Sequence, residues 1–263
     1  MKSIFLSMMA FLFISSPAAA LSNESIHWGF KKAENGKQAD AGEAYNQLLE
    51  KYGAFYKGNP NDKVVYLTFD NGYENGYTAR VLDVLKKEEV PATFFVTGHY
   101  LESAPDLAKR MVKEGHIIGN HSYTHPDLTK MSEDKIIQEL EKVQVKTQEL
   151  TGQAHMQYIR PPRGVLSERT LAIAEKAGYI HVLWSLAYKD WLVDEQKGKE
   201  YAYNSIMKQI HPGAVLLLHT VSKDNAEALE KVIKDLKKAG YRFLSLDDYI
   251  WKEQLDIPFA QSG

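Results

Sequence analysis

The chain has 263 residues, 44% hydrophobic and 25% charged, with 32 Lys and Arg against 34 Asp and Glu for a formal charge of −2. This profile belongs to a soluble globular protein of one large or two small domains, and it excludes a disordered chain, a collagen-like repeat and a coiled coil. The charge provides no basic face for nucleic acid, and the absence of cysteine removes disulfides, thiolate metal ligands and cysteine nucleophiles together.

In chain order, Lys2 precedes an apolar run from Ile4 to Ile14, followed by Pro17 and the small residues Ala18, Ala19 and Ala20. A charged start, a short apolar core and an A-x-A-like end predict a cleaved signal peptide over residues 1–20, and so an exported protein. No transmembrane span is expected, because a span takes about 20 apolar residues. Export without cysteine fits a bacterial cell envelope. Residues 21–62 are polar, with Trp28, Phe30, Tyr45, Tyr52, Phe55 and Tyr56 scattered through them. They read as an irregular N-terminal extension lying against the main domain, its aromatics serving as packing anchors.

From Lys63 short apolar runs alternate with amphipathic stretches. Strands are predicted at Val64–Phe69, Ala92–Val96, His116–Gly119, Tyr158–Arg160, Ile180–Trp184, Ala214–His219 and Arg242–Ser245. Helices are predicted at Ala79–Glu88, Pro105–Glu114, Ser132–Leu150, Glu168–Ala177, Ala202–Gln209 and Asn225–Ala239. Ser132 and Ser167 mark helix starts, and Gly115, Gly178 and Gly240 mark helix ends. The alternation predicts an α/β fold with a parallel sheet; an open doubly wound sheet and a closed barrel both fit it. No heptads argue for assembly, so a monomer is expected.

In either architecture functional residues sit at the carboxyl ends of parallel strands. Asp70, Asn71 and Gly72 follow the first strand. His121 and His125 follow the third, and Arg160 and Arg163 flank the fourth strand's end. Asp190 and Trp191 come shortly after the fifth, and the sixth ends in His219. Each has a plain structural reading: Asp70 can cap a segment, and Asp190 with His219 can form a buried hydrogen bond. His121 and His125 are four apart, a spacing that lets both face one metal ion. His27, His99, His116, His155, His181 and His211 lack such partners in the pattern and read as surface or packing residues.

The motif order resembles the polysaccharide deacetylases with a NodB homology domain, carbohydrate esterase family 4. The resemblance rests on Thr68-Phe69-Asp70-Asn71-Gly72, His121-Ser122-Tyr123-Thr124-His125, Arg160-Pro161-Pro162-Arg163-Gly164, Asp190-Trp191 and Leu217-Leu218-His219. It implies a distorted (β/α) barrel for a domain at 63–263 and removal of N-acetyl groups from a glycan. It also implies that Asp70 is the general base, ionised beside Arg160, and that His219 is the general acid, charged beside Asp190. His121 and His125 would hold a divalent metal such as zinc, and a backbone N–H near Arg163 would serve the oxyanion. Trp191 would line the substrate groove.

Three positions depart from the family pattern. Asn71 stands where the family has a third metal ligand, an Asp. Its neutral amide makes a weakly held or absent metal the expectation. Arg163 replaces an aromatic residue; either it reads the lactyl carboxylate of muramic acid, or it lines the groove or compensates for altered metal chemistry. Ala187 stands where a further Asp is frequent. Asn after the first Asp also resembles the N-acetylmuramic acid deacetylases of Bacillus-type spore formers. The resemblance therefore implies peptidoglycan strands as partner, a step toward muramic δ-lactam as function, and the envelope or spore cortex space as location. N-acetylglucosamine or chitin-type deacetylation, and a glycan-binding relative without catalysis, are the competing readings.

Overall fold

A computed structural model describes residues 21–256 apart from Asn35; the predicted signal peptide lies outside the described residues. The elements in chain order are β1 (Ile26–His27), α1 (Glu43–Lys51), β2 (Val64–Asn71), α2 (Thr78–Lys87), β3 (Thr93–Val96), α3 (Gly98–Ser103), α4 (Pro105–Lys113) and β4 (Ile117–Asn120). Then come α5 (Glu133–Thr151), β5 (Tyr158–Ile159), β6 (Val165–Leu166), α6 (Glu168–Lys176), β7 (Ile180–His181), α7 (Lys199–Met207), β8 (Ala214–His219), α8 (Lys223–Lys238), β9 (Arg242–Phe243) and α9 (Leu246–Asp256).

The main sheet is parallel, in the order β7-β5-β4-β3-β2-β8, with β9 pairing the first two residues of β2. All eight residues of β2 are buried, as expected of a parallel strand covered on both faces. Helices cover the outside. α8 turns Leu229, Val232, Ile233 and Leu236 inward at helical spacing, and its lysines and glutamates face water. Ser167 forms a capping box with Thr170 at the start of α6. Gly115, Gly178 and Gly240 all take left-handed φ after a helix, the role their positions predict.

The sheet curls until its edges nearly meet. Beyond β7, Val182 N–H still donates to Ile159 O, but Leu183 N–H turns to Phe55 O. Ser185 and Leu186 N–H then donate to Val215 O, and Leu217 N–H returns to Leu186 O. The predicted strand Ile180–Trp184 is therefore two residues long, because its chain steps from β5 across to β8 and closes a distorted barrel. α3 and α9 lie outside the predicted elements, and α7 begins three residues earlier than predicted.

Within residues 21–62 the regular helix is α1. β1 pairs antiparallel with β6, and Trp28 donates its backbone N–H to Gly164 O at 2.8 Å and its indole N–H to Trp184 O at 3.0 Å. Leu49, Tyr52 and Tyr56 are buried with Leu171 and Leu183. This segment thus backs the turn that carries Arg163.

Candidate active site

The strand register explains why distant residues meet. Asn71 lies opposite Val96, Val96 opposite Asn120, and Asn120 opposite Ile159, while Asp70 lies opposite His219. One row across the carboxyl ends therefore places Asp70, His121, Arg160 and His219 around a common cleft. Its volume is about 680 Å³. Asp70, His121, His125, Arg163, Trp191 and His219 line it, while Arg160 and Asp190 stand behind as fully buried partners.

Asp70 Oδ1 accepts from Arg160 Nη1 at 2.8 Å. Arg160 also donates Nε to Val182 O at 3.0 Å and Nη2 to Leu183 O at 3.3 Å, and it lies 4.2 Å above the Phe95 ring. Such a guanidinium is fixed in place and keeps its charge in the interior. Burial pushes the Asp70 carboxyl up, but the charge of Arg160 beside it, with that of His219, outweighs burial and holds Asp70 below its usual value.

Asp190 Oδ1 lies 2.8 Å from His219 Nδ1, and Asp190 Oδ2 accepts from His219 N–H at 2.8 Å and from Asn225 Nδ2 at 2.5 Å. Burial pulls His219 down; the charge and hydrogen bond of Asp190, with Asp70 adding, raise it above the ordinary imidazole value. A carboxylate held low and an imidazole held high thus sit on neighbouring strands, the separation that acid–base chemistry uses. The Trp191 ring packs 5.6 Å from that of His219, and Trp191 is 46% exposed.

His121 Nδ1 lies 2.8 Å from Arg160 O, which accepts its proton and leaves a lone pair on Nε2. That Nε2 is 3.5 Å from Asp70 Oδ2. Burial lowers His121, and it brings His125, whose ring centroid is 4.8 Å away, down to about 4. Asn71 does not line the cleft: it is fully buried, its Nδ2 donates to Thr220 Oγ1 at 2.7 Å, and its Oδ1 has no partner. Among the described residues no three His, Cys, Asp or Glu side chains gather into a metal-holding group. Two neutral imidazoles, with lone pairs of His121 Nε2 and Asp70 Oδ2 facing each other, fit a divalent cation that takes its remaining ligands from water or substrate.

Ser122, His125 and Arg163 all have left-handed φ, at 60°, 58° and 57°. Such backbone costs about 1–3 kcal/mol per residue and clusters at functional sites. The surroundings impose it here. Asn120 Oδ1 accepts from Ser122 N–H, Ser122 Oγ from His125 N–H, and the Glu139 carboxylate from both Thr124 N–H and Thr124 Oγ1. Pro161 and Pro162 have no N–H, so the first backbone donor after Arg160 belongs to Arg163.

Sequence reasoning missed Glu139, Asn225 and His99. Glu139 carried a signal: it interrupts the apolar stripe Ile136, Leu140 and Val143 of α5. Asn225, in the first turn of α8, carried none. His99, assigned to surface or packing, is exposed on the wall of the cleft. His116, His181 and His211 are buried packing residues, as read.

A curled parallel sheet with this constellation at its carboxyl ends is the fold of NodB-type hydrolases. A family model described as polysaccharide deacetylase matches residues 57–182. The chain is 54% identical over 244 residues to peptidoglycan-N-acetylmuramic acid deacetylase PdaA of Bacillus subtilis, covering 93% of each. It superposes on the solved structure of that family 4 carbohydrate esterase with a TM-score of 0.87 and 56% identity, over 89% of this chain and 100% of that one. It is 36% identical over 202 residues to a peptidoglycan-N-acetylglucosamine deacetylase of Bacillus cereus, covering 75% of this chain and 72% of that one. The chain belongs to the polysaccharide deacetylase family.

Proposed function

We propose that the protein removes the acetyl group from N-acetylmuramic acid in peptidoglycan strands. The observation that carries the chemistry is the pair Asp70–Arg160 and His219–Asp190, set side by side on β2 and β8. Asp70 takes a proton from water as its oxygen attacks the acetyl carbonyl carbon. The Arg163 N–H receives the oxyanion. His219 Nε2, free because Asp190 holds Nδ1, gives its proton to the amide nitrogen; the C–N bond breaks, leaving acetate and a free amine. When bound at His121 and His125, a divalent cation supplies Lewis-acid polarisation of the carbonyl and acidifies water. Expected outcomes are loss of turnover in Asp70→Asn and in His219→Ala with the fold retained; full activity in either removes that residue from the mechanism.

Arg163 favours muramic acid as the target. It is exposed on the cleft wall and has no hydrogen bond or ion pair among the described residues, so its fork is free for the lactyl carboxylate. Arg163→Ala is expected to lower kcat/KM on muramic substrates at least tenfold, the scale of a charge-assisted hydrogen bond, and to leave glucosamine substrates unchanged. Equal losses on both would contradict the lactyl reading. The freed amine lies beside the lactyl carbonyl of its own sugar, which makes the product the precursor of a muramic δ-lactam. Residues 1–20 then act as a cleaved signal peptide, 21–62 as an extension and 63–263 as the catalytic domain of a monomeric enzyme working in the envelope or spore cortex space. Among the described residues no helix is long and apolar enough to cross a membrane.

A further inference from the structure

Asp190 and Trp191 stand on a stretch that has no strand or α-helix among the described residues. Between Leu186 and α7 its regular structure is the single turn Val193–Glu195. The hydrogen bonds that tie residues 188–197 to the rest of the described residues go to His219 and to Ser222, Asp224 and Asn225 at the start of α8. Gln196 makes four bonds in this region. Its Nε2 donates to Asp190 O at 3.1 Å and to Leu192 O at 3.0 Å, the carbonyls of the residues before and after Trp191. Its Oε1 accepts from Ser222 Oγ at 2.7 Å and from Asp224 N–H at 3.2 Å.

These four contacts fix the amide. A side-chain amide has two hydrogens to give and two lone pairs to receive with, and all four are used. Turned over, it would set its oxygen against two carbonyls and its NH2 against the Asp224 N–H, so one orientation fits. The anchors are themselves held. Ser222 Oγ accepts from Asn225 N–H at 3.2 Å, and Asp224 Oδ2 accepts from Lys197 N–H at 2.8 Å and Gly198 N–H at 2.7 Å. β8 ends in His219 and runs straight into this same turn of α8. Asp190 and His219 are therefore linked twice: directly, carboxylate to imidazole, and through Gln196 and Ser222.

We propose that Gln196 is a positioning residue: by bridging the backbone around Trp191 to the first turn of α8, it holds the Asp190 carboxylate on His219 and the Trp191 ring beside it as one unit. The geometric part stands without a substrate; the catalytic part rests on the proposed deacetylation. A Glu at 196 could accept from Ser222 and Asp224 but would turn a carboxylate oxygen to the two carbonyls. A Met would reach as far and offer no N–H.

The test compares Gln196→Met with the unsubstituted protein. The first reading is amide hydrogen exchange at His219, whose N–H is held by Asp190 Oδ2. Exchange there is expected to be about tenfold faster or more in Gln196→Met, with the amides of β2 and β3 unchanged. Unchanged exchange at His219, or equal acceleration throughout the sheet, overturns the positioning role. In an Asp190→Ala background, where the acceptor is gone, Gln196→Met should no longer speed His219; an equal acceleration there overturns the route through Asp190. The second reading is acetate release, where kcat/KM should fall about tenfold or more. Faster exchange with unchanged kcat/KM overturns the catalytic part. If Gln196→Met does not fold, Gln196→Glu keeps the contacts to α8, loses those to the loop and is expected to give the same two results; wild-type exchange in it overturns the proposal. Hydrogen exchange needs no substrate, so a failed bridge appears there, whereas a failed deacetylase reading appears as no acetate from the unsubstituted protein.

Discussion

Replacing Asp190 by Asn tests the acid half of the site. Three donors surround this carboxylate: two meet at Oδ2, from His219 N–H and Asn225 Nδ2, and His219 Nδ1 faces Oδ1. In Asp190→Asn the amide oxygen stays where two donors converge, so the NH2 group turns to His219 Nδ1. The imidazole must then carry its neutral-state proton on Nε2 and loses its counter-charge. A hydrogen bond to a charged group contributes roughly 1.5–3 kcal/mol, and 1.36 kcal/mol corresponds to one pKa unit. The protonated form of His219 should therefore be disfavoured by about 10- to 150-fold, and kcat on the alkaline side of the profile should fall by up to that factor. The assay is acetate release against pH, with NMR titration of the His219 ring. His219 is raised in the folded enzyme and acts protonated, so activity is lost as pH rises through its pKa. In Asp190→Asn that alkaline limb should move toward acid, because the charge and hydrogen bond that raise His219 are lost. A limb that stays in place, with kcat within about threefold, would refute the assignment of His219 as general acid held charged by Asp190.

Other perturbations follow from the same geometry. Burial drives His116 down to about 4, and neither ring nitrogen has a partner. As pH falls below the unfolded value of about 6.5, the unfolded state takes up a proton that the native state refuses, so stability drops by about 1.4 kcal/mol per unit. His116→Phe should remove this loss, about 2 kcal/mol between pH 7 and pH 5 in urea unfolding; an unchanged loss would exonerate His116. Glu139→Ala strips the acceptor from Thr124 N–H and Oγ1, and should cost about 1–3 kcal/mol of stability while lowering kcat through the displaced His125 loop; a neutral phenotype by melting and turnover counts against the clamp. Gly164→Ala places a Cβ 2.7 Å from Trp184 Cη2 at a φ of +65°, and should lower stability by more than the roughly 1–2 kcal/mol of left-handed backbone alone, as read by thermal melting.

Much of the catalytic row was legible because parallel strands end in functional residues. Asp70, His121, Arg160 and His219 each directly follow or end a short apolar run, and the register brings those ends level. Barrel closure was legible only through the family resemblance, since pattern alone admitted an open sheet. It depends on Leu183 turning to Phe55 and on one bridge between Leu186 and Leu216, neither of which leaves a periodic mark. α3 was missed for a related reason: it is six residues long, below the window in which helical period can be counted. The bridge at Gln196 was also hidden, because Gln196 and Ser222 read as ordinary loop residues until their side chains are seen together. The family resemblance, not spacing, marked position 71, and nothing in the sequence shows that Asn71 turns its nitrogen to Thr220 and leaves its oxygen unpartnered.

The most direct measurement is mass spectrometry of muramidase-digested peptidoglycan after incubation with the mature protein, with and without chelator. The expected result is loss of acetyl from muramic residues and none from glucosamine, weakened by chelator to the extent that His121 and His125 hold a cation. Acetyl loss confined to glucosamine would contradict the muramic assignment carried by Arg163. Tight glycan binding with no acetyl released from either sugar would contradict the acid–base site itself.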